Sequence, residues 1–356
     1  MKKYSTKTWL LTASDLEEIL IQTGPNRFID LLIERLTRGL ENFDSSSLEI
    51  PIRTGFNYQA APEGLVEFMP VHEKGKEVVL KVVGYHPHNP DLFDLPTILS
   101  NITTYDTKTG HLKTIMDGVL PTALRTAAAS AVASRAMAKP GSEKLGLIGC
   151  GAQAVVQLHA LSRLFPLKSI WIYDIDPKAM DNFQDRIEGL ELDVNLIHSD
   201  IETIVDTVDI LCTATSIGVN EGPLFEHYNC QPHLHINAVG SDFPGKLELP
   251  RNLLLESTVV PDFREQAKIE GECQQLQDTE IGPDLKQLIS QPITWKTIQK
   301  GMSVFDSTGW AYEDQIVANL MEELGRALGV GQGIHLENVS SDVKNPYHFI
   351  SKPVQV

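Results

Sequence analysis

A short apolar strand pattern at Leu145–Ile148 runs directly into the turn Gly149-Cys150-Gly151, and a helical pattern follows. Glycine at the first position allows a tight turn, and glycine at the third lets the backbone approach a pyrophosphate. Ala154 is small enough for the helix to pack closely on the strand. The amides and dipole at the N-terminus of such a helix attract phosphate groups. A glycine turn alone is weak evidence, but one placed between a strand and a helix predicts a dinucleotide-binding unit.

An acidic residue follows the next predicted strand, Ser169–Tyr173. This residue, Asp174, lies 20 positions after Ala154 and is placed to bind the adenosine ribose hydroxyls. Its charge would repel a 2′-phosphate, which favours NAD over NADP. A solvated acid in the turn is the alternative interpretation, and Asp176 is a second candidate for the ribose contact. The turn and the acid together predict NAD as the cofactor.

The segment after Pro140-Gly141 alternates between strand and helix patterns. Such alternation predicts a parallel, doubly wound α/β sheet. Strands are predicted at Leu145–Ile148, Ser169–Tyr173, Leu192–Ile197, Asp209–Cys212, Leu234–Val239 and Thr258–Val260, and helices at Ala152–Phe165 and Pro177–Ile187.

The first part of the chain has a different pattern. A capping-box pattern at Ser14–Glu17 predicts the start of one helix, and an apolar stripe over Phe28–Leu40 predicts a second. An antiparallel meander should follow these helices. At the other end of the chain, a polar tail begins at Glu337. The meander strands are predicted at Leu65–Met69, Val78–Val83 and Thr97–Tyr105, with a hairpin turn at Asp106–Gly110, and further helices at Ala123–Ala138 and Tyr312–Leu328.

Composition excludes several classes of function. The formal net charge of −17, with no basic cluster, argues against a nucleic-acid partner. No segment approaches the ~18 apolar residues of a membrane span. The apolar run near the N-terminus, after Lys2 and Lys3, stops at Leu11, so no signal peptide is predicted. The four cysteines lack CxxC spacing and indicate reduced thiols in a cytoplasmic protein.

Three charged residues lie in apolar or glycine-rich surroundings, where a charge needs a partner. Lys81 interrupts a strand-like apolar run, and a substrate carboxylate is one candidate partner. Arg125 lies at an alanine-rich helix start, where its guanidinium could hold a carboxylate or reach the cofactor pyrophosphate. Asp242 follows a predicted strand, at the edge where open α/β sheets bind ligands. The alternatives are an edge-strand lysine and a helix-capping acid.

His86 and His88 occupy a proline-rich turn and resemble metal ligands. No carboxylate or cysteine is spaced to complete a site with them, so no metal is predicted.

A further set of motifs extends along nearly the whole chain. It comprises Val66–Pro70, Lys81–Asn89, Met116–Gly118, Leu124–Ala127, the turn at Gly149, Asn237–Gly240 and Phe305–Gly309. Together these motifs are far more specific than the glycine turn, and by them the chain resembles the ornithine cyclodeaminase/mu-crystallin family. Two segments, Asp242–Lys246 and Ile269–Gln275, are most similar to the bacterial ornithine cyclodeaminases.

The resemblance implies a fold in which a Rossmann doubly wound parallel sheet is inserted in an α+β substrate and dimerisation domain. We therefore expect residues 128–317 to form the NAD-binding domain. Residues 1–127 and 318–356 would form the substrate-binding and dimerisation domain. Two subunits would pair through their substrate-domain sheets into a homodimer.

The resemblance also implies roles for individual residues. Arg53, Lys81 and Arg125 would hold the α-carboxylate of an amino-acid substrate, with Glu67 beside the substrate. Asp242 would act as acid and base, with Glu67 and Lys81 completing the catalytic set. Cofactor contacts are implied for Thr126, Gly149, Gly151, Ala152, Gln153, Asp174, Thr213, Val239, Gly240 and Ser307.

The implied reaction converts L-ornithine to L-proline and ammonia without net redox change. NAD⁺ takes a hydride from the α-carbon to leave an imine, and the terminal amine then attacks that carbon. Ammonia leaves, and the ring imine recovers the hydride. Asp242 would steer these protons, and the cations around the carboxylate would orient the α-hydrogen.

Two positions depart from the family pattern. The cyclodeaminases carry Asn-Gly-His-Pro where this chain has Gly84–Pro87, and Gly-Gly-Asp-Cys-Pro where it has Gly240–Pro244. The large side chains of Tyr85 and Phe243 therefore leave the substrate size open. The alternatives are a lysine cyclodeaminase, an NAD(P)H-dependent cyclic imine reductase or amino-acid dehydrogenase, and a non-catalytic, crystallin-like nucleotide-binding protein.

Overall fold

The computed structural model describes residues 7–58, 62–340 and 342–351, so the ends of the predicted domain ranges, 1–6 (with Lys2 and Lys3) and 352–356, lie outside it. The strands are β1 (Thr8–Leu11), β2 (Leu48–Glu49), β3 (Thr54–Tyr58), β4 (Gly64–Glu73), β5 (Glu77–Tyr85), β6 (Ile98–Asp106), β7 (Leu112–Asp117), β8 (Lys144–Ile148), β9 (Ser169–Tyr173), β10 (Asn195–His198), β11 (Ile210–Thr213), β12 (His235–Ala238), β13 (Thr258–Pro261), β14 (Ser303–Asp306) and β15 (Gln332–Ile334). The helices are α1 (Ala13–Thr23), α2 (Pro25–Glu41), α3 (Asn89–Phe93), α4 (Val119–Met137), α5 (Ala152–Ser162), α6 (Pro177–Asp181), α7 (Phe183–Ile187), α8 (Ile201–Thr207), α9 (Arg251–Glu256), α10 (Arg264–Ala267), α11 (Leu285–Ser290), α12 (Pro292–Trp295) and α13 (Ala311–Leu328).

Eight strands form a mixed sheet in the order β15-β1-β7-β6-β5-β4, with β2 and β3 both paired to β4. The pairs from β4 to β7 are antiparallel, which matches the predicted meander. Strand β1, which the sequence analysis did not predict, is parallel to β7 and antiparallel to β15. Alternate residues of β5 are buried, so Lys81 lies on the same face as Val79 and Val83. That face packs against helix α13.

Seven strands form the second sheet, in the order β10-β9-β8-β11-β12-β14-β13, and every neighbouring pair is parallel. The fold class predicted from the alternating pattern is therefore confirmed. The order of strands along the chain reverses between β8 and β11. The loops that follow these two strands diverge, and such a point is where open α/β sheets bind ligands.

Helix α4 lies between the two sheets and contacts β6 on one side and β12 and β14 on the other. Its residues from Leu124 to Ser134 are buried throughout, which requires the small side chains of its alanine-rich sequence. The amide of Asn237 on β12 donates to the hydroxyl of Ser134 at 3.0 Å and fixes the helix to the parallel sheet. The predicted domain boundary at residue 127 falls inside this helix.

The first helix begins earlier than the sequence analysis predicted. The hydroxyl of Thr12 accepts from the amide of Asp15 at 3.3 Å, and the Asp15 carboxylate accepts from the amide of Thr12 at 2.7 Å. The capping box predicted at Ser14–Glu17 is therefore wrong. Strand β1 ends at Leu11, so the chain enters the helix at once, and Thr12 supplies the cap.

Some predicted element boundaries within the parallel sheet domain are also wrong. Glu191 adopts a left-handed conformation with φ of 51°, which delays strand β10 until Asn195. The helix predicted over Pro177–Ile187 is interrupted at Asn182, whose ψ is 0°. Strand β14 was not predicted, because its polar end residues leave only a very short apolar run.

Within the described ranges, no helix combines the length and the apolar character needed to cross a bilayer.

Candidate active site

A cavity between the mixed sheet and the parallel sheet gathers the residues that the sequence analysis placed near the substrate. Its lining includes Arg53, Glu67, Lys81, Arg125 and Asp242. The mixed sheet supplies Glu67 from β4 and Lys81 from β5, while α4 supplies Arg125. Asp242 comes from the loop after β12. Residues far apart in the sequence thus form one polar site.

Lys81 and Arg125 lie together at one end of the cavity, which we call the cationic end. Both are paired with acids of helix α13. The ammonium of Lys81 donates to Asp314 at 2.9 Å, and both side chains are only 1% exposed. The guanidinium of Arg125 donates to Glu313 at 3.0 Å, and its Nε lies 3.0 Å from Asp314. Burial, with the nearby Arg125, lowers the pKa of Lys81 to about 8 although Asp314 opposes the shift. Burial also raises the pKa of Glu313 to about 8.

Arg53 is held by two carboxylates beside this end. Its guanidinium lies 3.2 Å from Glu67 and 2.8 Å from Glu270, and it also donates to the carbonyl of Thr308. Burial raises the pKa of Glu270 to about 8, although Arg53 favours its charged form. Arg53 is therefore bound between two acids, of which Glu270 is largely protonated at neutral pH.

Asp242 has a different environment, because its carboxylate is 35% exposed and faces a lysine of its own loop. The ammonium of Lys246 lies 3.2 Å from this carboxylate and donates to the Tyr85 hydroxyl at 3.0 Å. It also lies 4.3 Å from the centre of the Tyr85 ring. Tyr85, Phe243 and Lys246 all line the cavity, so the two departures from the family pattern lie at the site itself.

The predicted cofactor residues lie along the C-terminal edge of the parallel sheet, except for one in α4. Gly149, Gly151, Ala152 and Gln153 follow β8, Asp174 follows β9, Thr213 ends β11, Val239 and Gly240 follow β12, and Ser307 follows β14. The exception, Thr126, donates its hydroxyl to the carbonyl of Thr122 at 2.9 Å within α4.

The glycine turn has the geometry that its sequence indicates. Gly149 has a φ of 92°, and a Cβ there would lie 2.6 Å from the carbonyl oxygen of Ala214 in the loop after β11. Gly151 precedes α5, and a Cβ there would meet no protein atom within 4 Å. The Asp174 carboxylate accepts from the amide of Cys150 at 2.7 Å. Asp176, the second candidate for the ribose contact, caps helix α6 by accepting from an amide at 3.0 Å.

Two buried polar atoms at this edge have no hydrogen-bond partner. They are the hydroxyl oxygen of Ser307 and the side-chain carbonyl oxygen of Gln153. Buried polar atoms are normally satisfied, so these two are suited to a bound polar group. The open space beside Gly151 and these atoms together fit a dinucleotide.

A buried acid that was not predicted from the sequence joins the loops of this edge. Glu248 accepts from the hydroxyl of Thr213 at 2.6 Å and from the amides of Thr215 and Gly240 at 2.9 Å. Burial raises its pKa, although these hydrogen bonds oppose the shift. The signal in the sequence was an acid between two leucines, Leu247 and Leu249.

The two histidines of the proline-rich turn have other contacts. His86 is hydrogen bonded to the hydroxyl of Tyr58, and His88 immediately precedes α3. Across residues 7–58, 62–340 and 342–351, no three His, Cys, Asp or Glu side chains group as a metal site.

Known proteins are similar to this chain over most of its length. The model of the ornithine cyclodeaminase/mu-crystallin family matches residues 17–327. L-lysine cyclodeaminase from Streptomyces rapamycinicus is 40% identical over 96% of this chain and 99% of that protein. Ornithine cyclodeaminase from Agrobacterium fabrum is 31% identical over 85% of this chain and 83% of that protein. The lysine enzyme is therefore the more similar of these two relatives.

Solved structures have the same fold. A structure of lysine cyclodeaminase, described for its recognition of L-lysine, L-ornithine and L-2,4-diaminobutyric acid, has a TM-score of 0.92 and 42% identity, covering 96% of this chain and 99% of that one. An archaeal alanine dehydrogenase dimer with bound NAD has a TM-score of 0.82 and 28% identity, covering 93% and 100%. By its motifs, its family match and its fold, the chain belongs to the ornithine cyclodeaminase/mu-crystallin family.

Proposed function

We propose that the protein is an NAD-dependent cyclodeaminase that converts a basic α-amino acid to a cyclic imino acid and ammonia. L-lysine, which would give L-pipecolate, is the first candidate substrate, and L-ornithine is the second. The observation that carries the proposal is the single cavity in which Arg53, Lys81 and Arg125 meet the exposed carboxylate of Asp242. The order of substrates depends on the 40% identity to the lysine enzyme against 31% to the ornithine enzyme.

The proposed cofactor is NAD, held by the glycine turn and the strand ends of the parallel sheet. The pyrophosphate would bind beside Gly151 at the start of α5, and the ribose hydroxyls would contact Asp174. Ser307 and Gln153 offer unpaired oxygen atoms to the bound group. When bound, NAD⁺ supplies a hydride acceptor that later returns the hydride, so no net NADH forms. The NAD bound to the related alanine dehydrogenase supports this assignment.

The cationic end of the cavity is suited to the substrate carboxylate. Lys81 and Arg125 are both buried, and together they have more N–H donors than their contacts with the acids of α13 use. The remaining donors can bind a carboxylate in the cavity. A carboxylate there would fix the α-carbon, which removes much of the entropic cost of reaching the reacting geometry.

Asp242 is the group best placed to move protons. Its carboxylate lines the cavity, and its side chain is 35% exposed. The acids paired with Arg53, Lys81 and Arg125 are at most 17% exposed. We therefore assign to Asp242 the proton from the substrate amine and its delivery to the departing ammonia.

Product analysis tests the proposed function. The protein is incubated with L-lysine or L-ornithine and catalytic NAD⁺, and ammonia and the cyclic product are quantified. We expect ammonia and a cyclic imino acid in equal amounts, with many turnovers per NAD⁺. Net accumulation or consumption of NADH would instead indicate a dehydrogenase or reductase, and NAD binding without product would indicate a non-catalytic role.

Two glycines of the turn should respond differently to the same added methyl group. Gly149→Ala places a Cβ against backbone at positive φ, so we expect a lower melting temperature. Gly151→Ala meets no protein atom within 4 Å, so the fold should be unaffected. Its methyl group would occupy the space for the pyrophosphate, and NAD affinity should fall by about tenfold or more. Thermal unfolding and calorimetric titration with NAD⁺ check both; wild-type affinity in Gly151→Ala would contradict the assigned cofactor position.

Because of Lys81, the affinity for the product and the free energy of unfolding should change in opposite directions as the pH rises. Its pKa of about 8 in the folded protein lies below the ordinary value of 10.5. Affinity for L-pipecolate should fall as the pH rises through 8, by about tenfold per unit, because Lys81 loses its charge. The unfolded chain binds this proton more tightly, so the free energy of unfolding should rise between about pH 8 and 10.5. Lys81→Met should remove both slopes, and an affinity that stays constant from pH 7 to pH 9.5 would refute the prediction.

The protein is also proposed to be a homodimer paired through the mixed sheet. All five residues of β3 are exposed, and Phe56 on this strand is 70% exposed. Leu92, Phe93 and Leu99 are exposed as well, and such apolar surface indicates an interface. Light scattering should give a dimer mass, which Phe56→Glu should halve. Leu255→Glu, which replaces a leucine 44% exposed on α9, should remain dimeric. A wild-type monomer would contradict the proposal.

A further inference from the structure

Lys246 joins the two sides of the cavity. Its backbone follows β12 of the parallel sheet, whereas Tyr85, which accepts from its ammonium at 3.0 Å, ends β5 of the mixed sheet. The same ammonium lies 3.2 Å from Asp242, and the lysine side chain is only 7% exposed. The ammonium is therefore fixed beside the carboxylate assigned to proton transfer.

The other charges that face the cavity have closer partners than Lys246. Arg53 is paired with Glu67 and Glu270, and it also attracts the Asp242 carboxylate. Burial, with the charges of Glu67 and Asp242, raises the pKa of Glu270 to about 8, so Glu270 is largely uncharged at neutral pH. Lys81 and Arg125 are paired with Asp314 and Glu313 of α13. On the segment that packs against the backbone of Lys246, the neutral Gln274 donates to its carbonyl at 3.0 Å. Among the described residues, Asp242 is the acid that pairs with Lys246.

This pairing matters for the cyclisation step of the proposed function. A free terminal amine has a pKa of about 10.4 and carries a proton at neutral pH. The protonated form has no lone pair and cannot attack a carbon. An ammonium placed beside an isolated carboxylate would form an ion pair, which favours the protonated and unreactive form. A lysine that already compensates the carboxylate removes this preference.

We propose that Lys246 keeps the terminal amine of the bound diamino acid in its neutral, nucleophilic form. The proposal depends on the cyclodeaminase function proposed above. The proton of the substrate ammonium passes to the Asp242 carboxylate, and the freed nitrogen lone pair forms the bond to the imine carbon. The C=N electron pair moves to the α-nitrogen, which takes up a proton. The ring nitrogen loses a proton, its lone pair forms the ring C=N bond, and the α-nitrogen leaves as ammonia with the electron pair of the broken C–N bond.

The charge state of Lys246 supports its role as a fixed cation. Burial disfavours its protonated form, but the Asp242 carboxylate and the Tyr85 oxygen outweigh this effect and raise the pKa of Lys246 above its ordinary value. The lysine therefore stays charged over the range in which a substrate amine would titrate.

The test compares the pH dependence of kcat for ammonia formation in the wild type, Lys246→Met and Lys246→Arg. In Lys246→Met the acidic limb should move up by about one pH unit, as expected for the loss of one nearby charge. The kcat should then be about tenfold lower at neutral pH and recover at high pH, while KM does not rise. Lys246→Arg keeps the charge, so the limb should stay near its wild-type position. Lys168→Met, which removes an exposed lysine paired with Glu143, should leave the profile unchanged.

A binding measurement tests the proposal without turnover. Calorimetry should show that Lys246→Met binds L-lysine more tightly than the wild type at neutral pH, because Asp242 is free to pair with the substrate ammonium. The affinity for L-norleucine, which lacks the terminal amine, should not change. An unshifted acidic limb, a loss of kcat that is equal at every pH, or unchanged L-lysine affinity would each overturn the role of Lys246. Absence of ammonia with the wild type would instead overturn the cyclodeaminase function.

Discussion

Asp242→Asn should reduce ammonia formation by a factor of about 10² to 10⁴, the usual contribution of a positioned general acid or base. Asparagine preserves the shape of the side chain but cannot accept a proton from the substrate amine. The substitution also removes the charged partner of Lys246, whose side chain is 7% exposed, so the melting temperature should fall. Asp242 lines the substrate cavity and is not among the residues assigned to the cofactor, so NAD affinity should stay at the wild-type level. Ammonia release, thermal unfolding and NAD⁺ titration measure the three effects separately.

The matched control is Asp278→Asn, which removes an acid that is also paired with a lysine but lies outside the cavity lining. It should retain wild-type turnover. If Asp242→Asn kept more than one tenth of the wild-type rate, the assignment of proton transfer to Asp242 would be wrong. Glu67, which also lines the cavity, would then be the next acid to replace.

Asp314→Asn should lower the free energy of unfolding by about 3 kcal/mol or more, because it removes one partner of a buried ion-pair network. Asp314 lies against both Lys81 and Arg125, and its side chain is 1% exposed. Asparagine leaves these two buried cations with Glu313 as their remaining acid on α13. Chemical denaturation in the absence of substrate measures the loss.

The control lies on the same helix. Glu323 pairs with Arg35 at 2.8 Å, but its side chain is 57% exposed, so Glu323→Gln should change the free energy of unfolding by less than about 0.5 kcal/mol. Equal effects of the two substitutions would show that burial does not determine the strength of these pairs. A substrate carboxylate would partly replace the lost charge, so L-pipecolate should stabilise Asp314→Asn more than the wild type.

The parts of the fold and site that could be predicted from the sequence depend on neighbouring residues. The turn at Gly149, the acid at Asp174 and the alternation of strands and helices are local patterns, and they predicted the parallel sheet. Lys81 was recognisable because a charge in an apolar strand is unusual. The capping residue Thr12 was missed, since it follows a strand that few residues define.

Partners that are distant in the sequence could not be predicted. Lys81 and Asp314 are 233 positions apart, and Thr213 and Glu248 are 35 apart, so only the folded chain shows which charges compensate each other. Substrate size could not be predicted for the same reason. Tyr85 and Phe243 were recognisable as large residues, but whether they face the cavity depends on how the end of β5 in one sheet meets the loop after β12 in the other. The prediction of ornithine as the substrate came from the family resemblance and not from a local pattern in the sequence.

Helix α4 has a consequence for how the family can change its chemistry. One uninterrupted helix contacts both sheets, presents Arg125 to the substrate cavity, and is fixed to β12 through Ser134. A hinge motion between the sheets would have to break packing along one side of this helix. This helix therefore fixes the distance between Arg125, which is proposed to hold the substrate carboxylate, and the edge of the parallel sheet that is proposed to bind the cofactor. New substrates would be accommodated by exchanging side chains that close the cavity, and a variant library aimed at specificity should target Tyr85 and Phe243 and leave Asp242, Lys246 and α4 intact.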